Sequence, residues 1–197
     1  MDLEKEYVHD VYNQIAKQFD YSRIFNWKEI TAFINKCNPN SLIGDIGCGN
    51  GRNMLLRKDC TFIGCDISEQ LIKICNKKKL AVIQSDNLKL SFRDNIFDYI
   101  ISIAVIHHIS TNVRRKQAIS EMIRILKPNG LIYIQVWNKI KNYNTKEVLL
   151  PWDKTNLLRY YYIFDLHELL ELVIECNAHI VQYGEDHNNW FVIANKL

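Results

Sequence analysis

The chain has 197 residues, of which 48% are apolar and 24% charged, with a formal net charge of +3. That length suits one α/β domain with a full core rather than two domains, and the balance is that of a globular rather than a disordered protein. The basic excess is too small to mark a nucleic-acid binder by itself. The charged start Met1-Asp-Leu-Glu-Lys-Glu predicts no secretory signal, and no apolar run is long enough to predict a membrane span. Cysteines 37, 48, 60, 65, 75 and 176 show neither a C-x-x-C pair nor zinc spacing. Reduced, buried thiols of a cytoplasmic or nuclear protein are expected, and no metal site.

Val8, Val11, Tyr12, Ile15 and Phe19 recur at three- and four-residue steps, predicting a helix over 3–19 that Phe19-Asp-Tyr-Ser-Arg23 interrupts. A second amphipathic helix is predicted from about Trp27 to Lys36, ending at Cys37-Asn-Pro39. The two form a helical extension of about residues 1–38 ahead of a single domain. Leu42–Ile46 reads as a buried strand carrying one acid, Asp45, and breaks into Gly47, Gly49 and Gly51. A helix start is expected over Asn53–Arg57. A dinucleotide fingerprint would want glycine where Arg52 stands. An acid inside the strand has no role toward a pyrophosphate, but suits a ligand with a cationic amino group, such as S-adenosylmethionine (SAM).

Thr61–Asp66 is the next strand, and Ser68 caps a helix through Leu71, Ile72 and Cys75. Leu80–Gln84 is a third strand, ending in Ser85-Asp86-Asn87. Phe97–Ile106 is almost continuously apolar, as a central parallel strand covered on both faces should be. Thr111 or Asn112 opens a long helix to about Leu126. A turn at Lys127-Pro-Asn-Gly130 leads to a fifth strand, Leu131–Trp137. After a polar segment (138–147) and Leu149-Leu-Pro-Trp152, a helix around Asp165–Cys176 precedes strands at Ala178–Gln182 and Asn189–Ala194.

Strands alternating with helices predict a parallel sheet between helical layers, with the ligand outside the carboxyl ends of the strands. The glycine loop, Asp66, Ser85-Asp86-Asn87, His107-His108 and Trp137-Asn138 all follow strands and should share one rim. Asp66 is placed to accept from a ribose diol and Asp86 to meet an adenine amino group, although a strand-end aspartate also serves as a turn residue or cap. Together with Asp45 and the single-spaced glycines they describe a SAM site.

Asp45-Ile-Gly-Cys-Gly-Asn-Gly51, Gly64-Cys-Asp-Ile-Ser68 and Ser102-Ile-Ala-Val-Ile-His-His108 resemble the class I SAM-dependent methyltransferases. The last two, with Tyr12-Asn-Gln-Ile-Ala16, Phe19, Ser22-Arg23, Trp27, Arg159-Tyr-Tyr161 and Asn189-Trp190, resemble one branch, the eukaryotic tRNA wobble-uridine carboxyl methyltransferases acting on 5-carboxymethyluridine. The resemblance runs from about Tyr7 onward. It implies a Rossmann-like α/β fold with a seven-stranded, mostly parallel sheet, a tRNA anticodon-loop substrate and a small zinc-binding activator subunit. It also implies cofactor contacts from Asp45, Gly47, Cys48, Gly49, Asn50, Gly51, Asp66, Ile67, Ser85, Asp86, Asn87 and Ala104. A carboxylate nucleophile needs no general base, only alignment and an orienting group. Arg23 is the first candidate, because a guanidinium grips a carboxylate bidentately, and His107 the second.

Trp137 could stack on the base or simply cover the core edge; Arg159, Asn189 and Trp190 are candidate substrate contacts, and Tyr161 and Tyr162 candidate packing residues. Lys77-Lys-Lys79 and Arg114-Arg-Lys116 are solvated faces or phosphate contacts. Strand 80–84 is expected at a sheet edge, either the activator's docking site or covered by a loop. Two other readings stay open: a SAM-dependent enzyme of a small molecule, and a non-catalytic scaffold of the same fold.

Overall fold

The computed structural model describes residues 2–23, 27–138, 145–153 and 155–197. A π-helical turn, Lys5–His9, leads into α1 (Asp10–Ser22), then α2 (Lys28–Lys36), β1 (Leu42–Ile46), β2 (Thr61–Asp66), α3 (Glu69–Lys77) and β3 (Val82–Gln84). There follow β4 (Phe97–Ile103), α4 (Asn112–Ile125), β5 (Leu126–Trp137), β6 (Glu147–Pro151), β7 (Leu158–Tyr162), α5 (Leu166–Ile174), β8 (Ala178–Glu185) and β9 (Asn189–Lys196). The main sheet has seven strands in the order β3-β2-β1-β4-β5-β9-β8. β1 to β5 pair in parallel, while β9 runs antiparallel to both β5 and β8. This is the expected α/β sheet, with β3 at one edge.

Alternation along the strands divides the core in two. Ile100, Ile132, Ile134 and Val136 point to the face packed by α4 and α5 through Ile119, Met122, Leu169 and Val173. Ile43, Ile101, Ile103 and Tyr133 point to the other face, where Ile30, Phe33 and Ile34 of α2 cover them. Each fully buried side chain of this size contributes roughly 1.5–3 kcal/mol of transfer free energy. The helices start where side chains can take up orphan amides: Ser68 accepts from the Leu71 N–H and Thr111 from the Arg114 N–H.

Four local expectations are corrected. α1 continues through Ser22 because Ile15, Phe19 and Tyr12 keep packing against Val11 and Trp152, so Phe19–Arg23 does not break it. The stretch after the glycines closes only a short 3-10 helix, Arg52–Leu55. Lys127–Gly130 belongs to β5 as a step in the ladder, which passes from Phe97 opposite Leu126 to Tyr99 opposite Leu131 around Asn129 at φ 62°. Finally, β6 and β7 pair as a separate antiparallel hairpin, bringing Leu150 opposite Arg159 and Val148 opposite Tyr161. Residues 139–144 of the polar segment lie outside the described residues.

The N-terminal helical segment is tied down over the carboxyl ends of the strands. Glu4 Oε1 accepts from the Ser110 N–H (2.8 Å) and from Arg114 Nε (2.9 Å), and Oε2 accepts from an Arg114 terminal nitrogen (2.7 Å). Asn13 Oδ1 accepts from Ser68 Oγ at 2.8 Å, and Asp20 pairs with Lys78 at 2.6 Å. Burial pushes the Glu4 carboxyl up, but the hydrogen bonds from Arg114 and Ser110 outweigh it and hold the group below its ordinary value.

A carboxylate with a depressed folded pKa stabilises the fold above its unfolded pKa, and that contribution is lost as pH falls through the folded value. Arg114 is partly exposed, so screening keeps the effect modest. Glu4→Ala is expected to lower stability by about 1–2 kcal/mol near neutral pH in urea unfolding, with the two proteins converging in acid.

Candidate functional site

The site is built on the turn between β1 and the 3-10 helix. Gly47, Gly49 and Gly51 have φ of 79°, 56° and 73°, a region costly for residues with a Cβ. A Cβ on Gly47 would also stand 2.3 Å from Val105 Cγ2. The turn is held to β2 twice over: the Gly47 and Cys48 N–H groups both donate to the Cys65 carbonyl at 2.8 Å. The Gly49 N–H donates to Asp66 Oδ2 at 2.9 Å, and Asp66 Oδ1 accepts from the Ser68 N–H at 2.9 Å. Burial raises the Asp66 carboxyl above its ordinary value against the pull of those N–H groups.

Asp45 sits beneath this turn, 1% exposed, with no hydrogen-bond partner on either carboxylate oxygen. Burial, helped by the charge of Asp66, pushes its carboxyl up to about 7, while Arg52 and Asn53 oppose the shift. A buried, unpaired carboxylate behind a concave backbone turn is a standing preference for a cation.

Above the turn lies a cavity of about 340 Å³. Gly47, Cys48, Gly49, Asn50, Asp66 and Ile67 line one end, and Asp86 and Asn87 lie alongside. Ala104, at φ 61°, His107 and Trp137 come from the ends of β4 and β5, and Arg23 from the end of α1. The glycine cradle, the strand-end carboxylate beside it and the buried Asp45 have the donor set and charge that suit SAM, a nucleotide with a cationic end.

The two histidines are both buried and neutral. Burial drives His107 well below its ordinary value, aided by His108 and Arg159, and brings His108 down to about 3. Their tautomers are opposite. His107 Nδ1 accepts from the Trp137 N–H at 3.1 Å, so its proton is on Nε2. His108 Nδ1 lies 2.7 Å from the Tyr160 carbonyl and must donate to it, so Nε2 is the acceptor, 2.8 Å from the Tyr12 hydroxyl. Trp137 stacks on Tyr161 with ring centroids 4.4 Å apart, which occupies one of its faces. Arg23 lies over the Phe19 and Trp152 rings at 5.1 and 5.4 Å.

Other sequence candidates fall elsewhere. Asp45, Gly51 and Ser85 do not line the cavity; a Cβ on Gly51 would meet Leu80, and Ser85 Oγ bonds within the 85–91 turn to Ser91. Arg159, Asn189 and Trp190 are also off the cavity wall. Arg159 is held between Trp152 and Tyr161, the Asn189 amide closes onto the carbonyls of Asp186 and His187, and Trp190 Nε1 donates to the Phe164 carbonyl.

The basic run 114–116 serves the fold: Arg114 holds Glu4, Arg115 donates to the Ile109 and Ser110 carbonyls, and Lys116 pairs with Glu175. The cavity also takes in residues that the sequence pattern placed in the core or left unassigned, among them Glu4, His9, Tyr12, Trp27 and Arg52. Helical spacing marks an inward face but cannot say whether it meets packed side chains or a ligand space. Among the described residues, no group of three or more His, Cys, Asp or Glu side chains could hold a metal ion, and no helix is long and apolar enough to cross a membrane.

Residues 44–134 match the family model described as a methyltransferase domain. A tRNA (carboxymethyluridine(34)-5-O)-methyltransferase of Arabidopsis thaliana is 47% identical over 136 residues, 69% of this chain and 34% of that protein. The protein of the same description in Schizosaccharomyces pombe is 33% identical over 226 residues, covering 100% of this chain and 99% of that one. The chain thus spans about a third of the length of the first of these relatives and nearly all of the second. Among solved structures, a chain from the complex between the Haloferax volcanii Trm112 methyltransferase activator and a methyltransferase superposes with TM-score 0.76 at 14% identity, over 95% of this chain and 96% of that one, a likeness of fold.

Because Asp45 is protonated below about 7 and ionised above it, affinity for cationic SAM should rise several-fold between about pH 6 and about pH 8. Asp45→Asn should flatten that rise in calorimetric titrations. The same raised pKa makes the ligand-free fold less stable as pH climbs from the ordinary aspartate value toward about 7.

Proposed function

The chain belongs to the tRNA (carboxymethyluridine(34)-5-O)-methyltransferase family, and from that premise we propose that it methylates the carboxylate of 5-carboxymethyluridine at the tRNA wobble position. SAM, when bound, supplies an electrophilic methyl on a sulfonium leaving group. A carboxylate oxygen forms the new bond as the methyl leaves sulfur, and no proton moves, because the acid is already ionised near neutral pH. The protein's part is therefore to align the reacting groups and exclude water.

The observation that carries the reading is the presence of Arg23 and the neutral His107 on the wall of the same cavity that Gly47–Asn50 and Asp66 floor. Arg23 is assigned to the carboxylate, with its guanidinium steadied over Phe19 and Trp152. His107 offers an Nε2–H donor, and its lowered pKa keeps it from forming an ion pair that would blunt the nucleophile. Trp137, which lines the cavity and stacks on Tyr161, is assigned to a base flipped out of the anticodon loop.

Lys77 and Lys79, at and beyond the end of α3, are assigned to phosphates, since Lys78 is engaged with Asp20 and the Asn50 carbonyl. β3 is assigned to a small zinc-binding activator subunit by strand addition. Supporting this, β3 is an edge strand that, among the described residues, pairs with β2 alone. A cytoplasmic setting accompanies a tRNA substrate and the six free cysteines.

Radiolabelled methyl transfer from SAM onto tRNA lacking the terminal ester, followed by nucleoside analysis, should place the label in the methyl ester of 5-carboxymethyluridine. Label on another nucleoside, or none with the activator present, would refute the assignment. Arg23→Ala should lower kcat/KM for tRNA by about 10- to 100-fold while SAM affinity changes less than about twofold.

A further inference from the structure

The wall opposite the glycine turn carries a second arrangement that the assignments above do not use. Tyr12, on α1, reaches across to His108 with 2.8 Å between its hydroxyl and Nε2, the rings edge to face at 5.2 Å. His108 cannot rotate its roles, because its Nδ1 is 2.7 Å from the Tyr160 carbonyl and a carbonyl oxygen only accepts. With a neutral ring, Nε2 must then accept, and the Tyr12 O–H must donate to it. The phenol proton is thus committed to His108, which lines the same cavity, and is not offered to a ligand, so the Tyr12 oxygen has lone pairs only to present. The Tyr161 hydroxyl is hydrogen-bonded to Tyr12 and fills one lone pair, leaving the other.

An oxygen so fixed has a narrow range of uses. It would repel a carboxylate, so it does not serve the nucleophile, which finds its donors at Arg23 and His107. It would attract a cation, and above all the polarised C–H bonds of a methyl group on positively charged sulfur. Resting on the reading of this cavity as a SAM site, we propose that Tyr12 Oη is a direct contact for the sulfonium end of the cofactor. His108 is the positioning residue that keeps the oxygen an acceptor. The two neighbouring histidines, through opposite tautomers, thereby divide the cavity into a donor side for the substrate and an acceptor side for the methyl donor.

The test compares SAM with S-adenosylhomocysteine, which has the same adenosyl and amino-acid parts but neither the methyl nor the sulfonium charge. In calorimetric titrations of the full chain, Tyr12→Phe should weaken SAM about threefold to fivefold and S-adenosylhomocysteine less than about twofold. The methyl carbon of bound, labelled SAM should resonate at a different shift in Tyr12→Phe than in the wild type. His108→Leu should show the same selective loss, with retained S-adenosylhomocysteine binding reporting an intact fold. An equal loss for both ligands, or an unchanged methyl resonance, overturns the proposal while leaving the methyltransferase reading in place. A wild-type chain that binds neither ligand overturns that reading as well.

Discussion

The structure depends on one carboxylate at the tip of β2. Asp66 accepts from the Gly49 N–H and the Ser68 N–H, and so fastens the turn after β1 to the start of α3. The turn can be fastened there only because Gly47 and Gly49 adopt left-handed backbone angles and leave space that Val105 and Phe19 would otherwise contest. A structural tie and a ligand wall are the same atoms: Asp66 lines the cavity whose floor it holds in place. The cost of burying it is offset in part by backbone donors, and that of burying Asp45 is opposed by Arg52 and Asn53 but not met. That imbalance, directly under the turn, is the electrostatic reason for a cationic ligand.

The opposite wall is set by the N-terminal segment. Glu4 ties it to α4, Asn13 to the start of α3, and Asp20 to the glycine turn, where its carboxylate accepts from the Asn50 amide at 2.9 Å, while Val11 and Ile15 pack against Trp152 near the β6–β7 hairpin. A cover fixed by separate polar bonds on three elements closes the cavity without being part of the central core. It delivers Arg23 and Tyr12 to the ends of β4 and β5. Two histidines buried side by side would be a liability as cations; kept neutral, they direct hydrogen bonds instead.

The fold was legible because its signals are local. The apolar run at Phe97–Ile103 marks the central strand, the glycine spacing marks the turn, and each strand-end polar residue marks the rim. Gly47–Asn50, Asp66, Asp86, Ala104, Arg23, His107 and Trp137 accordingly meet around one cavity. In sequence, Arg159, Asn189 and Trp190 present a cation among aromatics, the pattern of a substrate contact. The hairpin pairing of β6 with β7 and the turn before β9 draw them inward instead. Register between distant strands is not written in either segment alone. Tyr12 shows the converse: its three- and four-residue spacing marks a helix face, and only the placement of α1 shows that its hydroxyl meets His108. The run Arg114–Lys116 carries the same lesson: its charge is visible in the sequence, its partners are not.

The most direct check on the central claim is a crystal structure of the chain with S-adenosylhomocysteine. The ribose hydroxyls are expected on Asp66, the amino-acid end against the backbone of Gly47–Asn50, and the sulfur facing the space bounded by Tyr12, Ala104 and His107. A ligand found elsewhere, or a glycine turn whose hydrogen bonds to Asp66 are broken to admit it, would contradict the account.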